Sequence, residues 1–101
     1  MQIIVSGRHL QITDAIRSYA EQKAAKLPRF FDRIGRIEVI ADTLPHDAFK
    51  VEMIADVNHS DPMIATAEDR DIYACIDEAV DRLGRQLRDH KERIRDHKSS
   101  D

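Results

Sequence analysis

The chain has 101 residues, of which 42% are hydrophobic and 35% are charged, and its formal net charge at pH 7 is −3. This length predicts one domain with a single core, the composition is typical of an ordinary globular protein, and no apolar run approaches the length of a membrane span. A lone cysteine excludes an internal disulfide. Together with the strand-like run directly after Met1, which does not resemble a secretory signal, it predicts a cytoplasmic protein.

The charges are strongly segregated along the chain. Residues 1–37 carry seven basic and three acidic side chains, residues 38–81 carry two and twelve, and residues 82–98 carry seven and three. A polyanion responds to the local field rather than to net charge. The net charge argues against a generic nucleic-acid binder. The segregation of the charges, however, indicates a surface that could attract a polyanion, and it is the strongest functional indication that composition offers.

A short strand and a helix are predicted at the start of the chain. Residues 2–6 follow the pattern of a strand, and Gly7 is expected to end it. Thr13 can cap a following helix, and Pro28 should close that helix because the residue before a proline avoids the helical region. The predicted buried face of the helix carries Ile16, Ala20, Ala24 and Leu27.

Basic residues accompany this helix into the next linker. Lys23 projects close to the buried face and Lys26 to its edge. A lysine at such a position either snorkels to solvent or meets an anion, and we expect snorkelling by default. Arg29 continues the basic run, while Phe30 and Phe31 are expected to anchor the linker, with one of them covering the end of the core.

Three further strands are predicted over residues 37–42, 49–57 and 63–68, joined by loops over residues 43–47 and 58–62. Small inward residues in the last strand would let a helix approach the sheet closely. The outer face would carry Ile4, Ile40, Ile54 and Ile64. These are either scattered surface aliphatics or, if contiguous, a contact surface for a partner or a second copy.

One long helix is predicted from Asp71 to Lys98, because apolar residues recur there every three or four positions. Asp69 or Asp71 can cap its start. Basic residues lie on both sides of the apolar stripe: Arg88, Lys91, Arg95 and Lys98 on one flank, Arg82 and Arg93 on the other, with Gln86 nearer the stripe. Two basic flanks indicate a polyanion-binding surface, although interspersed acidic residues are also typical of an ordinary solvated helix.

The order of these elements predicts an α+β fold in two layers, β-α-β-β-β-α. Both helices should cover one face of a four-stranded mixed sheet, with a right-handed crossover between the first two strands. This arrangement places the basic runs of the two helices side by side. Residues 1–98 are expected to form the single domain and residues 99–101 a short polar tail.

The sequence predicts no catalysis, metal or cofactor. His46 with Asp47, and His59 with Asp61, lie in predicted loops without a third ligand at a suitable spacing. Three glycines in the whole chain could hardly build a phosphate loop. No nucleophile and base occur in a recognisable arrangement, so we do not expect an enzyme.

Specific motifs in both halves of the chain resemble the ribosome hibernation promoting factor family, which includes the ribosome-associated translation inhibitor. In the first half these are Ile12 to Arg17, Ala25 to Leu27 and Phe31 to Ile34. In the second half they are Asp71 to Asp77, Asp81 to Leu83, Arg85 to Leu87, and His90 with Lys91. The resemblance covers nearly the whole chain and is closest to the short form of the family.

The resemblance implies a fold similar to a double-stranded-RNA-binding domain that docks in the decoding cleft of the small ribosomal subunit. Messenger and transfer RNA would otherwise occupy that cleft, and any ribosome dimerisation would require another protein. The implied contacts with ribosomal RNA are Lys23, Lys26, Arg82, Arg85, Gln86, Arg88 and Lys91, to which we add Arg29 and Arg95 from their placement. The main alternative is a protein-interaction module that uses the isoleucine face without binding RNA.

Overall fold

The computed structural model describes the backbone of residues 1–99 and the side chains of residues 1–94. In chain order the elements are β1 (Gln2–Arg8), α1 (Asp14–Ala24), a 3₁₀ turn (Leu27–Arg29), β2 (Ile34–Leu44), β3 (Ala48–Val57), β4 (Met63–Asp69) and α2 (Ile72–Ser99). Ser99, predicted to begin the polar tail, is the last residue of α2, and residues 100 and 101 lie outside the described residues. No helix in the described part of the chain is long and apolar enough to span a membrane.

The strands form one sheet in the order β1-β2-β3-β4. β1 runs parallel to β2, and the remaining neighbours are antiparallel. Helix α1 packs on β1, α2 packs on β3 and β4, and the two helices contact each other. Both helices therefore lie on one face of a mixed sheet, and the predicted fold class is confirmed.

The strands are longer than the sequence predicted, and Gly7 has a different role. β1 continues through Gly7 to Arg8, paired with β2 as far as Asp42. A Cβ at position 7 would lie 2.2 Å from the carbonyl oxygen of Leu10. His9, with a φ of 55°, turns the chain back over the strand. Glycine is thus required by a close backbone approach, and it does not end the strand.

The core lies between the helices and the inner face of the sheet. The buried stripe of α2 includes Ile76, Ala79, Leu83 and Leu87, and the small side chains of Ala65 and Ala67 on β4 allow α2 to pack close to the sheet. Phe31 is buried at the end of the core, where its ring meets that of His90 edge-on at 5.3 Å between centroids. The expectation that one of the two linker phenylalanines covers the core is confirmed.

The starts of both helices are capped as predicted. The Thr13 hydroxyl accepts a hydrogen bond from the Ile16 amide at 3.1 Å. The Asp71 carboxylate accepts from the Tyr73 amide at 2.9 Å, and the Asp69 carboxylate accepts from the Asp71 amide. Each such cap stabilises the fold by about 1 kcal/mol, because it satisfies a backbone donor that has no partner within the helix.

Candidate nucleic-acid interface

The contact between the two helices contains an ion pair. Lys23 Nζ lies 3.6 Å from an Asp77 carboxylate oxygen and 5.3 Å from the centroid of the Tyr19 ring. The Tyr19 hydroxyl donates to the same carboxylate oxygen at 2.7 Å, and this hydrogen bond raises the pKa of Tyr19 above its ordinary value. Of the two outcomes expected for Lys23, contact with an anion is observed in addition to the default of snorkelling, because α2 places the Asp77 carboxylate within reach of its half-buried side chain.

The 3₁₀ turn packs against α2 at a helical glycine. A Cβ at Gly84 would lie 3.1 Å from the nearest ring atom of Phe30 and 3.7 Å from a methyl group of Leu27. Glycine therefore lets the Phe30 ring lie against the helix, one turn before Arg88. The Arg88 guanidinium carbon lies 5.0 Å from the centroid of that ring, in cation–π contact. Gly84 was not among the residues predicted from the sequence to have a role.

This packing places four basic residues where α1 has ended and the 3₁₀ turn meets α2, a region that we call the cationic end. Its members are Lys26 and Arg29 at the 3₁₀ turn, and Arg88 and Lys91 on α2. All four side chains are exposed. None forms an ion pair with any carboxylate in the part of the chain that the structure describes.

A second set of polar side chains lies on the opposite flank of α2, beside the edge strand β4. Arg82 donates to the carbonyl of Thr66, and its other terminal nitrogen is 3.9 Å from a Glu78 carboxylate oxygen. Gln86 Nε2 donates to the carbonyl of Ile64 at 2.9 Å. These side chains line an open groove of about 430 Å³, the β4 groove, formed by Ile64, Ala65, Thr66, Arg82, Arg85 and Gln86.

The predicted RNA-binding residues therefore fall into separate groups. Lys26 and Arg29 belong to the turn that packs against α2, Arg88 and Lys91 to the segment of α2 beside it, and Lys23 lies on the same side of α2 with its charge paired. The basic residues next to α2 on this flank come mainly from the 3₁₀ turn and the residue before it rather than from α1, whose Lys23 pairs with Asp77. Arg82, Arg85 and Gln86 lie on the other flank; Arg85 is exposed and has no ion pair within the described residues, whereas Arg82 and Gln86 are bonded to β4. The side chains of Arg95 and Lys98 lie outside the described residues.

The outer face of the sheet carries more acidic than basic side chains, with Lys50 opposite Glu68, and it is only partly apolar. The four predicted isoleucines share this face, and Ile54 lies directly opposite Ile64. Glu38, however, lies between Ile4 and Ile54 in the same cross-strand row, and it pairs with Arg36. Among the large hydrophobic residues of the sheet, Ile64 is the one with the greatest exposure, 51%. Charged side chains thus interrupt the isoleucine surface.

Other groups with shifted pKa values lie away from the cationic end. A hydrogen bond from His9, at 3.2 Å, lowers the pKa of Asp42 on β2. Burial raises the pKa of the Cys75 thiol to about 11, and the thiol donates to the Ala67 carbonyl at 3.1 Å. Within the described residues, no group of three or more potential ligands could hold a metal ion. The arrangement offers fixed positive charge rather than reactive groups.

Comparisons with known proteins identify the family of this chain. Residues 3–95 match the family described as Sigma 54 modulation protein / S30EA ribosomal protein. The chain is 43% identical over 93 residues to the ribosome hibernation promoting factor of Azotobacter vinelandii, covering 92% of this chain and 85% of that protein. It is 34% identical over 103 residues to the protein of the same name from Escherichia coli K12, covering 96% and 100%.

Solved structures share the fold. A ribosomal subunit interface protein from Coxiella burnetii superposes with a TM-score of 0.83 at 26% identity, covering 91% of this chain and 99% of that one. The amino-terminal domain of Protein Y from Thermus thermophilus superposes with a TM-score of 0.78 at 37% identity, covering 89% and 99%. From its matching residues, its relatives and its fold, this chain belongs to the Sigma 54 modulation protein / S30EA ribosomal protein family.

Proposed function

We propose that this protein is a ribosome hibernation factor that inhibits translation by binding the small ribosomal subunit at the decoding cleft. Two kinds of relatives support the proposal: proteins named ribosome hibernation promoting factor, and a structure named as a ribosomal subunit interface protein. Residues 1–98 would form the ribosome-binding domain, and no cofactor or chemical step is involved.

The observation that carries the proposal is the cationic end. Exposed arginine and lysine side chains that pair with no carboxylate among residues 1–94 are free to neutralise phosphates and release their counterions. Arginine adds directed hydrogen bonds to phosphate oxygens, and lysine adds a compact point charge. In this protein Arg29 and Arg88 supply the first kind of contact, and Lys26 and Lys91 the second.

In this proposal the protein inhibits translation by occupying the decoding cleft. A rigid sheet covered by two helices would fill a channel that messenger and transfer RNA otherwise occupy, so binding alone excludes them. Folded ribosomal RNA is recognised mainly through its shape and backbone. The protein needs only a few phosphate contacts in the correct geometry, and it needs no structural element that recognises bases in a groove of the RNA.

The acidic outer face would restrict binding to a site that presents phosphates to the helical layer alone. Glu52 and Asp56 on β3 and Glu68 on β4 point away from the helices, and none forms an ion pair within the described residues. Opposite charge on the two faces orients the protein during its approach to a polyanion. Double-stranded RNA with phosphates on all sides would then be a poor competitor.

Sedimentation of intact ribosomes through sucrose gradients tests this function. The test variant is Arg85→Glu/Arg88→Glu/Lys91→Glu, which reverses exposed charges on α2 and leaves Arg82 and its contact with β4 unchanged. We expect the wild type to migrate with the ribosomes and the variant to remain at the top of the gradient. A matched control, Asp81→Lys/Asp89→Lys, changes exposed charges on the outward side of the same helix and should still migrate with ribosomes. Equal migration of wild type and triple variant would contradict the proposed interface.

A further inference from the structure

Both open edges of the sheet receive hydrogen-bond donors from the helices that cover it. At the β1 edge, Arg17 of α1 donates to the Val5 carbonyl at 2.9 Å. At the β4 edge, Arg82 and Gln86 of α2 donate to the carbonyls of Thr66 and Ile64. Edge strands otherwise present unpaired backbone groups to which another strand can pair. Side chains from the overlying helices occupy those positions here.

The β4 strand is the edge that most needs such protection. Residues 63–67, Met-Ile-Ala-Thr-Ala, carry no charge, glycine or proline. This composition favours strand pairing between chains. Ile64 projects from the strand with 51% of its surface exposed. The strand therefore has both the backbone groups and the exposed apolar side chain that pairing with another strand would use.

We propose that Arg82 and Gln86 close the β4 edge against antiparallel pairing with β4 of a second copy of this chain. Ile64 and Thr66 are two residues apart, so their carbonyls point to the same side of the strand. Both carbonyls are occupied by α2 side chains, and an incoming strand has to displace both donors before it can form its own ladder. Displaced arginines of the two copies would also lie near each other, which adds like-charge repulsion.

The composition of the β4 edge favours a second copy of this chain as the pairing partner. Two identical strands can pair antiparallel about a twofold axis, which makes a closed dimer with the same patch on both subunits. The uncharged run of residues 63–67 would then lie against itself with no unfavourable charge pair. An acidic peptide would lack this match to the apolar strand, although Arg85 in the β4 groove could attract it.

This inference is independent of the proposed RNA binding. Arg82 and Gln86 resemble family RNA-contact positions, but their hydrogen bonds to β4 give them a role in the free protein. Their removal is expected to change the oligomeric state in the absence of any ribosome. Loss of RNA binding would not by itself produce that change.

The test is sedimentation equilibrium of the purified full chain over a range of concentrations without RNA. We expect the wild type to be monomeric and Arg82→Ala/Gln86→Ala to approach twice the monomer mass as its concentration rises. The matched control is Arg85→Ala, which removes a positive charge from the same groove but no bond to β4, and it should remain monomeric. A monomeric double variant, a dimeric wild type, or equal dimerisation of Arg85→Ala would each overturn the proposal.

A proline variant tests whether the dimer of the double variant forms through the β4 edge. Thr66→Pro, added to the double variant, removes an outward amide that strand pairing needs while leaving the bonds between β3 and β4 in place. The triple variant should return to the monomer mass, whereas persistent dimers would place the contact elsewhere and contradict the proposal. If the double variant does not fold, as judged by circular dichroism, Gln86→Ala alone is tested, with weaker dimerisation expected and a fully monomeric protein counting against the inference.

Discussion

Arg88 lies over the Phe30 ring, with its guanidinium carbon 5.0 Å from the ring centroid. The contact holds the side chain in place without neutralising its charge. Lys23, in contrast, lies 3.6 Å from the Asp77 carboxylate and is electrostatically compensated. The difference separates basic residues that are available to a polyanion from those that hold the two helices together.

Replacing Phe30 with leucine should weaken ribosome binding while retaining apolar contact with Gly84. A cation–π contact at an exposed site contributes about 0.5–1 kcal/mol, so we expect binding to weaken by roughly two- to fivefold. The measurement is the dissociation constant for purified small subunits. In an Arg88→Ala background the Phe30→Leu change should have no further effect, and a full additional loss would show that Phe30 acts independently of Arg88.

Replacing Asp77 with asparagine should strengthen ribosome binding, because Lys23 loses its carboxylate partner and its full charge becomes available. The asparagine side-chain oxygen can still accept from the Tyr19 hydroxyl. The negative charge of Asp77, which also raises the pKa of Tyr19, is lost while the hydrogen bond remains, so this pKa should fall only part of the way toward its ordinary value. Ultraviolet titration of tyrosine follows the pKa, and co-sedimentation follows binding. Unchanged or weaker binding would indicate that Lys23 contributes only to helix packing.

Neutralising the acidic outer face should increase binding to bulk RNA. In the variant Glu52→Gln/Asp56→Asn/Glu68→Gln the repulsion between this face and phosphates is lost, and non-specific affinity should rise several-fold at low salt. Filter binding with total transfer RNA measures the effect. The comparison variant Asp14→Asn/Glu21→Gln removes acidic side chains from α1 and leaves the outer face intact. An equal rise per removed charge in both variants would assign the effect to net charge alone.

The Cys75 thiol should resist modification in the folded protein. It is fully buried, and burial raises its pKa to about 11. Since the thiolate is the reactive form, the reaction with a thiol reagent at pH 8 should be far slower than in denaturant and should accelerate as the pH approaches 11. The same raised pKa implies that folding stability falls as pH rises above the unfolded-state value of about 8.5, where the unfolded thiol ionises first. Rapid labelling at pH 8 without unfolding would contradict this burial.

Local patterns in the sequence were sufficient to predict the fold. The α2 stripe through Leu83 and Leu87 repeats at the helical period, and Thr13 and Asp71 have the chemistry of helix caps. Alternation in the strands predicted which side chains point inward, so the isoleucines of the outer face were identified correctly. The strand ends were less accurate, because their extension to Arg8 and Leu44 depends on pairing between strands.

The grouping of the basic residues could be determined only from the structure. A helical projection places Arg82 and Arg88 on opposite flanks of α2, but it does not reveal which flank faces α1. That orientation is fixed by long-range contacts, including Tyr19 with Asp77 and Phe30 with Gly84. Likewise, the bond between Gln86 and the Ile64 carbonyl depends on how α2 lies over the edge strand, which no local pattern encodes.

The most direct test of the cationic end is the salt dependence of binding to purified small ribosomal subunits. Each phosphate contact that is lost should reduce the slope of log affinity against log salt by about one. Arg88→Gln/Lys91→Gln should therefore lower the magnitude of the slope by about two relative to the wild type. An unchanged slope, or wild-type binding that is insensitive to salt, would contradict a phosphate-binding surface at this end of the protein.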